Sequence, residues 1–252
     1  AGPAASACLP ALRERVADTG EDALVRGYCA WAISRVEPAD ETLPPRVFHV
    51  RQQAPNASDG NPGTAEQPWK TIQRAAEAMR AGDTVLIGAG VYREFVRPFV
   101  GGESYERMIS YRAEPGAEVI LKGSDVWTPA WDRAQVGGVT VWCAPWQRLA
   151  WDRPEDWPEP RSGPMHRAEQ VFVDGKPMTH AGTRDELGSA AGSFYTDDAE
   201  GRLYLRLPQD GAPADHLIER STRQQIFAPA VRGLGYIRVQ GLKLTHAANP
   251  ES

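Results

Sequence analysis

Between Pro68 and Lys122 the apolar residues change rhythm once, and that change limits the folds open to the chain. Ile72, Ala75, Ala76 and Met79 stand at i, i+3, i+4 and i+7, one stripe of an amphipathic helix, with Trp69 at its start and Ala81-Gly82-Asp83 at its end. After it come only short apolar runs. Asp83-Thr-Val-Leu-Ile-Gly-Ala-Gly-Val-Tyr-Arg-Glu94 reads as two β-like pieces hinged on glycines, and Met108 to Arg112 and Glu118 to Lys122 as two more, parted by Glu114-Pro115-Gly116. Strands this short, closed by Gly and Pro and led by one helix, suit a chain that winds in coils better than one that doubles back in hairpins.

Composition narrows the class further. Gly and Pro together supply 45 of 252 residues, roughly 18% against about 12% in average proteins, which favours turns over long helices. A formal charge of −5 argues against a general nucleic-acid binder. No apolar run reaches the ~18 residues a membrane span requires. Cys8, Cys29 and Cys143 are too few and too scattered for a thiolate metal site. Cys8 and Cys29 fit a disulfide in an exported protein or two separate thiols, and the sequence leaves both open. The chain starts at Ala1 without a basic or apolar leader, so any signal peptide is expected to have been removed already or never to have existed.

Four segments in a fixed order carry a family resemblance. Ser58-Asp59-Gly60-Asn-Pro-Gly-Thr64, Pro68-Trp-Lys-Thr-Ile-Gln-Arg-Ala75, Ala81-Gly-Asp-Thr-Val85 and Gly90-Val-Tyr-Arg-Glu94 resemble the opening of the pectate-lyase-like right-handed parallel β-helix proteins. The resemblance implies that the helix plugs the first coil. Residues 124–224 break the coil pattern with six of the eight tryptophans and two hairpin signals. One hairpin is Gln170 to Met178 about Asp174-Gly175. The other is Ser193 to Arg206, where Leu203, Leu205 and Leu207 alternate with Arg202, Tyr204 and Arg206 as though one face were buried. Coil-like sequence returns with Tyr236-Ile-Arg-Val-Gln-Gly-Leu242 and runs to His246-Ala-Ala-Asn-Pro250. This layout resembles the β-xylosidase family in which a β-sandwich interrupts a parallel β-helix, and related β-helix glycosidases.

The expected fold is therefore mainly β: a right-handed parallel β-helix with a capping helix, interrupted by an antiparallel β-sandwich-like insert. Its parts would be a helical leader and linker (1–45), the cap and first coils (46–123), the insert (124–224) and a resumed, truncated β-helix (225–252). The resemblance implies a secreted, periplasmic or cell-surface bacterial protein whose partner is carbohydrate, a glycoside hydrolase acting on plant-type, xylan-like polysaccharide or its oligosaccharides. A polysaccharide lyase and a non-catalytic carbohydrate-binding protein are the alternatives. Glycoside hydrolysis uses two carboxylates flanking the scissile bond. No acid here matches either role, and the family supplies both from coils beyond the equivalent of residue 252, so catalytic residues stay unassigned and the chain alone is expected to be inactive. Asp185-Glu186 and Asp197-Asp198 read as solvated loop acids, and Glu94 as an ion-pair partner within the first coil.

Candidate substrate contacts are Trp131 and Trp151, each followed by an Asp-Arg dipeptide able to hydrogen-bond a hydroxylated ring, and His246 and Asn249, at the end of the last strand where groove loops emerge. His49, His180 and His216 show no metal-like spacing. No cofactor is expected. The turn around Asp59 and Asn61 resembles a calcium loop only loosely, so calcium lacks support.

Overall fold

The computed structural model describes residues 7–18, 20–21, 23–36, 43–148, 169–209 and 211–248. The fold is mainly β, and the chain divides into two compact units: residues 1–122 with 226–245, and residues 123–225 with 246–252.

The first unit opens with α1 (Leu9–Ala17) and α2 (Ala23–Val36). The leader thus comprises two helices, and α1 ends where the Asp18 N–H closes on Glu14 O and the Asp18 carboxylate takes the Gly20 N–H. After β1 (Val47–Val50) comes α3 (Ile72–Ala78), whose predicted stripe is buried: Ile72 and Ala75 are wholly covered, and Ala76 and Met79 nearly so. The entrance to α3 is held by side chains. Asp59 accepts from the Lys70 and Thr71 amides and from the Thr71 hydroxyl, each at 2.9 Å. Glu94 accepts from the Ile72 and Gln73 amides at 3.0 and 2.7 Å, and Thr71 Oγ1 from the Arg74 amide. These groups satisfy amides that a helix start otherwise leaves without partners. The Asp59 turn is thereby committed to the helix, and the expected ion-pair role of Glu94 is replaced in part by helix capping.

Strands β2 (Thr84–Ile87), β3 (Gly90–Tyr92), β4 (Ile109–Ala113), β5 (Val119–Lys122), β15 (Ile237–Gln240) and β16 (Leu242–Thr245) follow. They alternate between two parallel sheets, ordered β1-β2-β4-β15 and β3-β5-β16. Equivalent positions stack. Val85 faces Tyr111, which faces Val239, and Leu121 faces Tyr92 and Leu244. Val85, Tyr92, Tyr111 and Leu121 are at most 1% exposed, whereas Val239 and Leu244 on the outermost strands are 40% and 44% exposed. Gly241 joins β15 to β16 at φ +76°, and a Cβ there would meet Ala113 Cβ at 3.0 Å. Only glycine takes that bend without strain.

The second unit is built from two sheets. One, ordered β10-β9-β14-β6, comprises β6 (Ser124–Val126), β9 (Val171–Val173), β10 (Lys176–Pro177) and β14 (Ile218–Ser221), all antiparallel. The other, ordered β11-β12-β13-β8-β7, comprises β7 (Asp132–Val136), β8 (Val139–Pro145), β11 (Thr179–His180), β12 (Ser193–Asp197) and β13 (Arg202–Arg206). Only its β11–β12 pair is parallel. Asp174 and Gly175, at φ +51° and +76°, turn β9 into β10, the conformation that Asp-Gly favours. Val171, Val173 and Ile218 of the first sheet share a core with Phe194, Leu203 and Leu205 of the second. A second core, with Val141, Cys143, Leu187 and Tyr204, covers the opposite face of the five-stranded sheet. The expected single buried face of β13 is corrected accordingly, because Tyr204 is 3% exposed beneath the turn that carries Leu187. Cys29 and Cys143 are buried free thiols, and Cys8 is exposed.

Candidate functional site

Of the four candidates for substrate contact, Trp131 and His246 lie among the described residues, and Trp151 and Asn249 lie outside them. His246 follows β16 directly and takes a left-handed backbone, φ +63°. Its ring lies flat on Phe172 of β9, with centroids 3.5 Å apart and planes 6° apart. Nδ1 is 2.8 Å from the Ser124 hydroxyl, which donates to Glu219 Oε1 at 3.2 Å. Ser124 and Glu219 are wholly buried, and the carbonyl of His246 accepts from the Ser221 hydroxyl. Beside them Asp125 binds Thr222 Oγ1 at 2.7 Å and Arg223 at 2.9 Å.

The order of these groups decides what they can do. A serine nucleophile gives its proton to histidine, and a carboxylate orients that histidine. Here serine stands in the middle and its one proton goes to the carboxylate, so Nδ1–H of His246 must be the donor to Ser124 Oγ. Ser124 is also out of reach of any substrate. The cluster is therefore a device that fixes the plane and tautomer of the His246 ring at the half-exposed end of the strand. Sequence reasoning reached His246 but not Ser124, Glu219 or Phe172, which lie 122, 27 and 74 positions away and carry no local signal.

Trp131 enters a different cluster. Its ring meets Trp127 edge-on at 5.0 Å, and Trp127 meets Trp146 at 5.8 Å, with the Arg220 guanidinium 5.6 Å from both Trp127 and Trp146. The Asp132-Arg133 dipeptide does not act as one group. Strand alternation sends Asp132 to one face, where it pairs with Arg202 beside Cys143. Arg133 goes to the other, over the ring of Trp142 at 5.0 Å.

Several of the described carboxylates are engaged in holding the fold. Asp83, wholly buried, takes Arg46 at 2.6 Å, and Glu77 takes Arg26 at 3.0 Å. Glu186 caps Gly182 at 2.9 Å, and Asp197 accepts from the Ala199 and Glu200 amides. Among the described residues no group of three His, Cys, Asp or Glu is placed to hold a metal ion, and no helix is long and apolar enough to cross a membrane.

No protein-family model matches the chain. The solved complex of XylC with xylose aligns at a TM-score of 0.64 and 24% identity, over 82% of this chain and 36% of that one. A structure described as a glycoside hydrolase aligns at 0.55 and 15% identity, over 80% of this chain and 50% of that one. The uncharacterized protein YwoF of Bacillus subtilis (strain 168) is 36% identical over 73 residues, 29% of this chain and 15% of the Bacillus protein. The chain thus spans about a third to a half of the solved structures it resembles and less of YwoF, and what it shares with the two structures is their fold.

Proposed function

We propose that the chain is the amino-terminal part of a secreted glycoside hydrolase acting on xylan-like polysaccharide or its oligosaccharides. In this reading the two parallel sheets are the first coils of a right-handed parallel β-helix, and the second unit is a sandwich inserted between coils. The observation that carries it is the alignment over 82% of the chain with a fold solved in complex with xylose. Strand order supports the β-helix, since β2–β3, β4–β5 and β15–β16 each pass from one parallel sheet to the other. The exposed Val239 and Leu244 support further coils, because their counterparts one layer below are buried. The structural employment of Asp59, Asp83, Glu77 and Glu219 supports a catalytic carboxylate pair on those further coils rather than here. His246 and Trp131 are assigned to substrate contact.

Two measurements test the reading. Titration calorimetry with xylotetraose is expected to show binding by the 252-residue chain, weakened several-fold by His246→Ala; no binding at 10 mM overturns the carbohydrate assignment. The same chain is expected to leave aryl β-xylosides intact. Turnover by it would overturn the placement of the catalytic pair.

A further inference from the structure

We infer that the five-stranded sheet of the second unit carries an acidic-sugar subsite centred on Arg133 and Trp142. The inference rests on the reading of the chain as a carbohydrate-handling protein and names a substrate class within it. A cleft of about 600 Å³ opens here, lined by Arg133, Thr140, Trp142, Pro208 and Gln209 among others, a volume within the range that takes small ligands.

Strand register puts its chemistry on one face. Arg133 of β7 lies directly opposite Trp142 of β8, and Thr140 is two residues from Trp142, so all three side chains leave the same side of the sheet. The Trp142 ring is fixed by its own Nε1–H, which donates to Gly211 O at 3.1 Å, and the guanidinium of Arg133 is held over that ring. Arg133 is exposed and has no ion-pair partner among the described residues. The neighbouring acid, Asp132, is turned to the opposite face and neutralised there by Arg202. The guanidinium of Arg206, whose residue also lines the cleft, is spent on Leu187 O at 2.7 Å.

One guanidinium with no ion-pair partner among the described residues, stacked on an indole and flanked by a hydroxyl and a carboxamide, matches a ligand with one carboxylate and several hydroxyls. That ligand is a uronic acid. Arg offers the carboxylate a two-pronged hydrogen bond that a neutral pentose cannot use.

Calorimetry on the full chain with xylotetraose, with a xylo-oligosaccharide of equal length bearing one glucuronate, and with inorganic phosphate tests this. The glucuronate-bearing sugar is expected to bind at least about ten-fold more tightly than xylotetraose. Arg133→Gln should remove most of that advantage while leaving the melting temperature unchanged, as suits an exposed side chain. Equal affinity for the two sugars, or an advantage that survives Arg133→Gln, overturns the subsite and leaves the carbohydrate reading standing. Phosphate binding as tight as the glucuronate sugar, and lost with Arg133, overturns it in favour of a simple anion site. Failure of both sugars to bind overturns both readings.

Discussion

At the scale of single residues, the Asp174 turn shows how one side chain can serve both geometry and charge. Its carboxylate accepts from His216 Nδ1 at 2.7 Å and from the Leu217 amide at 2.9 Å, tying the β9–β10 hairpin to the segment that leads into β14. The His216 hydrogen bond, followed by that of the Leu217 amide, holds the carboxyl below the usual carboxylate range. The sign of the consequence follows from linkage. A carboxyl whose pKa is depressed by folding contributes stability above its unfolded pKa and loses it as pH falls through the folded value, so the contribution of Asp174 fades in the acid range below about pH 4. We expect a carboxyl NMR titration to place Asp174 below the free-aspartate value of about 3.9, and His216→Ala to move it toward that value. A midpoint for Asp174 at or above the free-aspartate value would show that the bond to His216 is not made in solution. The turn itself was readable from Asp174-Gly175. Its partner was not, because His216 lies 42 positions away on a loop with no periodicity.

Elements hold together here through acids brought to the start of α3 from outside it. A helix of seven residues is too short to be stable alone. It persists because its apolar stripe is buried and because Asp59, Thr71 and Glu94 take its leading amides. Glu94 belongs to the chain just after β3, so its two bonds also pin helix to sheet. Glu94→Gln keeps the shape and one acceptor oxygen, but its amide nitrogen cannot accept, so one of the two bonds is lost and the other loses its charge. It is expected to destabilise the chain by about 1–2 kcal/mol, a lower urea midpoint at unchanged slope. An unchanged midpoint would mean that burial of Ile72 and Ala75 alone fixes the helix. The stripe of α3 was legible because helical periodicity is local. The capping role of Glu94 was hidden, since an acid after Tyr92-Arg93 looks like half of a local ion pair until the fold brings α3 to it. β13 failed differently: Leu203, Leu205 and Leu207 alternate correctly, but a second layer over Tyr204 buries the face that alternation assigns to solvent. The same strand alternation parts Asp132 from Arg133, so adjacency in sequence is the very thing that keeps those two side chains from meeting one ligand.

For the whole molecule, the two units have separate means of holding together. In the first, stacked parallel strands bury one another layer by layer, so each strand depends on its neighbours. In the second, a continuous stretch, residues 123–225, supplies both sheets and both cores. Its length exceeds the roughly 60 residues near which independent folding becomes marginal, and its cores draw on strands that lie close along the chain. The only part of the unit from elsewhere is the segment that starts at His246, whose ring covers Phe172 and whose Nδ1 meets Ser124. Residues 123–225 expressed alone are therefore expected to fold, with a single cooperative thermal transition and a near-ultraviolet signal from packed tryptophans. The transition should lie a few degrees lower than in a version carrying residues 246–252 on a flexible linker, because the excised form leaves the Phe172 ring uncovered and Ser124 without its histidine. Loss of the near-ultraviolet signal in both versions would mean that the stretch needs the stacked strands to fold. The second unit would then not be an independent folding module.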